Sequence, residues 1–310
     1  MPIIKKNDVT PERPVIIVLY GTPGSGKTSV ATTAENPIVI DTDRGYDRAV
    51  QRVDTLTASK WEDVLAETET LKSYKTVIVD TAKAALDDYL SAYVCEKNYK
   101  LKNNGLKRFG QMADEFKQFV NSLRANGQDI IFICHDKETQ DGDTIKHAPD
   151  CTGQSKDLLI RIADQVGYVF IQNKQRVINF EPLDNFVGKN VAQLGMTTIP
   201  DAPSKEFDTC MADIIKTVKQ SIQSKSEAQR KAQEMLAQLR ENIAEADTEK
   251  GVEAIMKQAR DLPPILKAPF FAEAKETLAA KGFVFDTEKK KFVKEQSNEP
   301  TEADNQNNGD

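Results

Sequence analysis

Apolar runs of strand length alternate with helical stretches over the first two hundred residues. This predicts an α/β protein with a parallel-rich central sheet, an α-helical C-terminal extension and a disordered acidic tail. Two observations carry the prediction. The runs Val15–Tyr20, Val77–Val79 and Ile130–Ile133 are continuously apolar, as in strands covered on both faces. After residue 204 the composition turns to Ala, Gln, Glu and Lys, with apolar residues in helical register from Ile214 to Ile243.

Taken in order, Val15–Tyr20 predicts the first strand, followed by a Gly-rich turn and a short helix. Pro37–Asp41 predicts the second strand, and residues 59–72 a helix with Trp61, Val64, Leu65 and Leu71 on its apolar side. Thr76–Asp80 is a third strand ending in a carboxylate. Helices are predicted over 82–97 and 110–125, the second stopped by Asn126-Gly127. Asp129–Cys134 is the fourth strand, and Val166–Ile171 with Arg176–Phe180 a strand pair turned at Asn173-Lys174-Gln175. Residues 138–156, polar and rich in small side chains, predict a mobile loop. Further helices are expected over 249–260 and 269–281, then a small hairpin from Phe283–Phe285 and Phe292-Val293. The predicted organisation is thus a core over 1–203, a helical region over 204–294 and a tail over 295–310.

A mean hydropathy of −0.52 and 29% charged residues suit a globular chain and no bilayer-spanning run occurs. Met1–Lys6 carries no apolar segment of the secretory kind, so a cytoplasmic location is expected. Of the net charge of −6, the five acids of 295–310 account for −5, leaving residues 1–294 at −1. Bulk acidity therefore says little against a polyanionic partner. Cys95, Cys134, Cys151 and Cys210 include no CxxC pair, which favours separate reduced thiols. Cys134, His135, His147 and Cys151 make a poor zinc set, because adjacent strand residues point to opposite faces.

Gly21-Thr22-Pro23-Gly24-Ser25-Gly26-Lys27-Thr28 matches GxxxxGK[ST] between a strand and a helix, the context of a phosphate-binding loop. Glycines let backbone N–H groups face phosphates at a positive helix end. The binding residues are expected to be Gly21 to Thr28 with Ser29. Lys27 would reach the β/γ-phosphates of ATP, and the Thr28 hydroxyl and the Asp80 carboxylate would hold Mg²⁺. Thr81 follows Asp80 where many such enzymes carry a catalytic Glu, so the water-activating carboxylate must come from elsewhere.

Asp41 and Asp43 share one face just beyond the second strand, expected beside the phosphate loop. Asp43 is the candidate base and Asp41 a supporting residue, the alternative being a solvated turn. His135 closes the fourth strand as a γ-phosphate sensor or a loop hydrogen-bonding residue.

These residues together resemble the RecA-like core of phage recombination ATPases of the Sak type. The similarity rests on the phosphate loop with its short helix, Pro37–Gly45, Val77–Thr81, Phe109-Gly110 and Phe132–Asp136, and spans roughly residues 12–200. It implies an ATPase acting on single-stranded DNA in recombination, annealing or replication, within the host cytoplasm. It places the catalytic acid just after the second strand, where Asp43 stands in place of the more usual Glu. It also implies a ring or filament in which a neighbouring subunit supplies a basic residue, the candidates being Lys174, Arg176 and Lys189.

Lys97, Tyr99, Lys100, Lys102, Lys107 and Arg108 form a basic stretch with interleaved aromatics and no acid, suited to phosphate contacts and base stacking. Its alternative is a solvated loop with the rings in the core. The C-terminal region and tail could recruit a single-strand-binding or other recombination protein, or the tail could compete with DNA. An alternative function is a nucleotide-gated binding or loader protein with little hydrolysis. A small-molecule kinase is disfavoured, since no Arg-rich lid is legible.

Overall fold

A computed structural model describes residues 12–45, 49–287 and 291–294. The expectations for Met1–Lys6 and for the tail at 295–310 lie outside the described residues. The described residues divide into two compact units, 12–224 and 225–294.

The first unit begins with β1 (Ile16–Gly21), α1 (Lys27–Ala31), β2 (Pro37–Asp41), β3 (Asp54–Thr57), α2 (Trp61–Ala66), α3 (Thr68–Leu71) and β4 (Thr76–Asp80). A π-helical segment (Ala84–Leu90) leads into α4 (Ser91–Lys97), and a 3₁₀ turn (Tyr99–Asn103) into α5 (Gly105–Ala125). Then come β5 (Asp129–Asp141), β6 (Thr144–Pro149), α6 (Gly153–Ile162), β7 (Gln165–Gln172), β8 (Gln175–Asn179), β9 (Lys189–Asn190), β10 (Thr197–Ile199) and α7 (Lys205–Asp208). Helix α8 (Cys210–Glu245) begins in this unit and ends in the other.

The sheet runs β10-β8-β7-β1-β5-β4-β2-β3, with β6 paired to β5 and β9 to β7. From β7 to β3 every neighbouring pair on this path is parallel; β8 and β10 turn antiparallel at one edge. Each strand's period of two feeds two cores. Ile16, Val18 and Tyr20 pack with α5 residues Phe116 and Phe119, whereas Ile17 and Leu19 pack with Val30 of α1 and with α8. That double burial is why β1, β4 and β5 read as unbroken apolar runs. Register levels the C-terminal ends: Gly21 opposes His135, Ile133 opposes Asp80, and Asp80 opposes Asp41.

Several expectations change. Strand β2 does not lie beside the phosphate-loop strand; β5 and β4 stand between them. Local sequence carries no signal for strand order, which the crossover connections decide. Edge strand β3 was not expected because only Leu56 is apolar there and the strand is half-exposed. The predicted mobile loop at 138–156 is the hairpin β5–β6 and the start of α6. Its polar residues are exposed strand residues rather than loop residues. The basic stretch at 97–109 is folded too, as a 3₁₀ turn and the first turn of α5, with Asn98 and Asn104 as side-chain caps. The two compact units meet at Ser224/Lys225. Phe207, Met211, Ile214, Ile215 and Val218 bury themselves in the core under the sheet.

The second unit has its own core. The C-terminal half of α8 packs through Leu236, Leu239 and Ile243 against α9 (Glu249–Gln258), α10 (Pro264–Ala279) and the hairpin β11 (Phe283–Asp286) with β12 (Lys291–Lys294). Pro264 opens α10, where a missing N–H costs nothing, so this helix starts five residues before the expected 269. No helix among the described residues is long and apolar enough to cross a membrane.

Candidate active site

Parallel sheets gather ligand sites beyond the C-terminal ends of their strands, where loops and helix N-termini converge. Here that edge opens into a cavity of about 790 Å³. The turn after β1 enters α1 through Gly24 and Gly26, at φ 77° and 96°, conformations that side chains disfavour. Gly21 has a different need: a Cβ there would stand 2.1 Å from the Val169 carbonyl oxygen of β7.

Lys27 is 6% exposed, and its Nζ donates to the Gly21 and Thr22 carbonyls at 2.9 Å each. Burial lowers its pKa, opposed by the nearby Asp80 carboxylate. The Thr28 hydroxyl donates to Asp80 Oδ2 at 2.7 Å. This bond joins the first turn of α1 to the end of β4 across the intervening strand β5. Burial raises the Asp80 pKa and the Thr28 bond only partly offsets it. A desolvated carboxylate and a hydroxyl in contact are the hard oxygen pair that Mg²⁺ takes, so Thr28 and Asp80 fit that ion. Ser29 also lines the cavity, with its Oγ accepting from the Val50 N–H at 3.3 Å.

Asp41 is 2% exposed, and its Oδ1 accepts from the backbone N–H groups of Asp43 and Gly45 at 3.1 Å. It thereby folds the chain back after β2 and aims Asp43 into the cavity. Asp43 keeps about half its side-chain surface exposed, with Oδ2 3.9 Å from His135 Nε2. His135 Nδ1 is buried with no hydrogen-bond partner among the described residues. Lys27, Asp43, Asp80 and His135 thus line one cavity, although they come from four separate segments.

Arg176, a candidate to serve a neighbouring subunit, lines the cavity of its own chain. A Cβ on Gly26 would stand 3.0 Å from Arg176 Cδ. Lys189, another such candidate, donates its Nζ to the Ile160 and Arg161 carbonyls at 3.1 and 3.2 Å, capping α6. Lys174 sits exposed in the β7–β8 turn at φ 66°, away from the residues lining the cavity. In the basic stretch, Lys97 stacks over Tyr93 at 4.2 Å and approaches Glu115 at 3.9 Å, and Lys102 covers Tyr99 at 4.8 Å. Tyr99 remains 71% exposed, so it is not a core ring. Lys100, Lys107 and Arg108 are exposed or half-exposed beside it.

Of the Cys/His residues, Cys134 and Cys151 come together, whereas His135 faces Asp43 and His147 faces Asp136. Cys134 and Cys151 bury their sulfurs 3.9 Å apart, which with burial pushes the Cys134 thiol up. His147 Nδ1 lies 2.6 Å from Asp136 Oδ2, which also accepts from the Tyr168 hydroxyl at 3.2 Å. Asp136, Glu138 and His147 hold ligand-type atoms within 4.8 Å of one another; the bonds just given join Asp136 to His147 and Tyr168, and Asp136 Oδ1 is buried without a hydrogen-bond partner among the described residues.

Sequence reading missed the outer wall of the cavity. Ile199, Pro200, Asp201 and Ala202 close it beside Phe207. The only local signal was a proline-bounded segment after the last strand, which says nothing of where that segment packs.

A family model described as an AAA domain matches residues 13–191, more than half of the chain. No curated protein matches it.

Proposed function

Since the chain belongs to the AAA domain family, we propose that it is a Mg²⁺-dependent ATPase with a RecA-like core, acting on single-stranded DNA in phage recombination, annealing or replication, as its likeness to the Sak type implies. The observation carrying the ATPase reading is the 2.7 Å Thr28–Asp80 bond, set beside buried Lys27 at the mouth of the glycine turn. Lys27 Nζ, now on two carbonyls, would move to the β/γ-phosphates, and the N–H groups of residues 24–28 would hold phosphate oxygens. Mg²⁺ held by Thr28 and Asp80 would supply charge neutralisation.

Asp43 orients the attacking water and takes its proton as the new P–O bond forms. The bond to the β-phosphate oxygen breaks, leaving ADP and phosphate. His135, 3.9 Å from Asp43, reads whether the γ-phosphate is present through its ring N–H. Arg176, close to Gly26 in the same chain, offsets phosphate charge in cis; Lys174 is left as the candidate for a neighbouring copy in a homo-oligomer. DNA contacts are assigned to Tyr99, Lys100, Lys107 and Arg108.

The test is ATP hydrolysis with and without single-stranded DNA, with particle size followed in the same samples. Stimulation by DNA, lost in Lys27→Ala, supports the reading; hydrolysis that stays flat across DNA concentrations removes its DNA-dependent part. One observation favours a second reading: Thr81 follows Asp80, so no Glu stands beside the cation site. A nucleotide-gated loader would bind ATP tightly with negligible turnover, unchanged in Asp43→Ala.

A further inference from the structure

The second unit carries a groove of about 730 Å³ between α9, α10 and the terminal hairpin. Four cations border it: Lys257 on α9, Arg260 in the 3₁₀ turn that follows it, Lys275 on α10 and Lys291 on β12. Glu253 is the one acid among its described lining residues. None of the four cations is ion-paired among the described residues. Elsewhere in the unit Arg240 is committed to Glu273 at 2.6 Å, Arg230 to Glu234 at 2.9 Å and Lys281 to backbone carbonyls, while Lys231, Lys250 and Lys267 are likewise unpaired among the described residues but do not line the groove.

Between these cations lie two aromatic rings that the core does not claim. Phe271 is 37% and Phe285 41% exposed, although each adjoins a buried phenylalanine. Phe285 is held edge-on against Phe292, centroids 5.1 Å apart, so one face stays open without the ring being loose.

We propose that this groove binds single-stranded nucleic acid, with phosphates on Lys257, Arg260, Lys275 and Lys291 and bases stacked on Phe271 and Phe285. Uncommitted cations at short spacing suit a polyanion, and exposed rings suit flat π-faces; a single strand supplies both. A duplex hides its base faces in its own stack. The chain's own tail at 295–310 offers five acids but no large apolar side chain to cover the rings. The inference rests on the single-stranded DNA reading above and adds a site that the AAA match at 13–191 does not include.

Fluorescence anisotropy of a labelled thymidine 30-mer with the full chain, with and without ATP and Mg²⁺, tests it. The exposed-site variant Lys257→Gln/Arg260→Gln/Lys275→Gln should weaken binding at least tenfold. It should also flatten the salt dependence by about 2, at about 0.7 per phosphate contact. Phe271→Ala and Phe285→Ala should each weaken it about 5- to 150-fold with the salt slope kept. Circular dichroism and melting of each variant confirm the fold. Binding unchanged in the charge variant but lost in Lys100→Gln/Lys107→Gln/Arg108→Gln would overturn the groove and leave the DNA reading standing. No binding by the unaltered chain would overturn both. Equal affinity for the duplex, or displacement of nothing but an acidic phenylalanine-containing peptide, would also overturn the groove assignment.

Discussion

Gly21→Ala separates two reasons for a glycine at the head of a phosphate loop. If Gly21 served only to let backbone approach a ligand, alanine would leave the fold intact and weaken nucleotide binding. The structure gives another reason. The added Cβ would sit 2.1 Å from the Val169 carbonyl oxygen and 3.1 Å from Ser25 Oγ. Ordinary contact begins near 3.4 Å, so β1 and β7 must part by more than 1 Å at a backbone atom that cannot swing aside. Overpacking typically costs about 1–3 kcal/mol, and a backbone clash of this depth belongs at or above the upper end. For a unit of this size about 3 kcal/mol lowers the Tm by about 6–12 °C. Gly24→Ala is the control: no atom lies within 4 Å of its added Cβ, but φ is 77°, so a loss of about 1 kcal/mol is expected. Thermal and urea unfolding of the nucleotide-free protein measure both. A Gly21→Ala protein melting within 2 °C of the unaltered chain would refute the packing argument.

Three further outcomes are expected. Asp80→Asn should raise the Tm of the metal-free protein at pH 7 and abolish stabilisation by Mg²⁺ with ATP. Burial holds the Asp80 pKa above its ordinary 3.8, so the cost of the buried charge is full at neutral pH and vanishes below about pH 4. The gain from the substitution must therefore shrink on acidification, and a gain independent of pH would contradict it. Asp43→Asn should lower kcat about 10²- to 10⁴-fold with KM for ATP little changed, read from steady-state kinetics. Lys189→Met should cost about 1–2 kcal/mol in urea unfolding, through loss of the α6 cap, with kcat unchanged. A selective loss of kcat in oligomers would restore Lys189 to the active site.

The phosphate turn was legible because its requirements are local. Positive φ at Gly24 and Gly26, a strand before and a helix after are all written within the sixteen residues Ile16–Ala31. The same holds for Asp41, whose side chain bonds to backbone two and four residues on. The strand end at Asp80 was equally visible, because burial on both faces forces an apolar run and a polar residue then marks its exit; at His135 the apolar run ends, but β5 continues to Asp141 in the hairpin with β6.

What depended on distant chain was not legible. The order of β1, β5, β4 and β2 is decided by crossover packing, so the separation of Asp43 from the phosphate-loop strand by two strands had no local signature. Arg176 reaches the cavity because β8 folds back over the turn, and Lys189 misses it because α6 presents two unpaired carbonyls. Helix α8 reads as one continuous amphipathic element, yet Ile214 and Val218 belong to the sheet's core and Leu239 and Ile243 to another. Periodicity specifies that a face will be buried. It cannot specify against what, since hydrophobic burial has no direction and the partner is chosen by the whole fold.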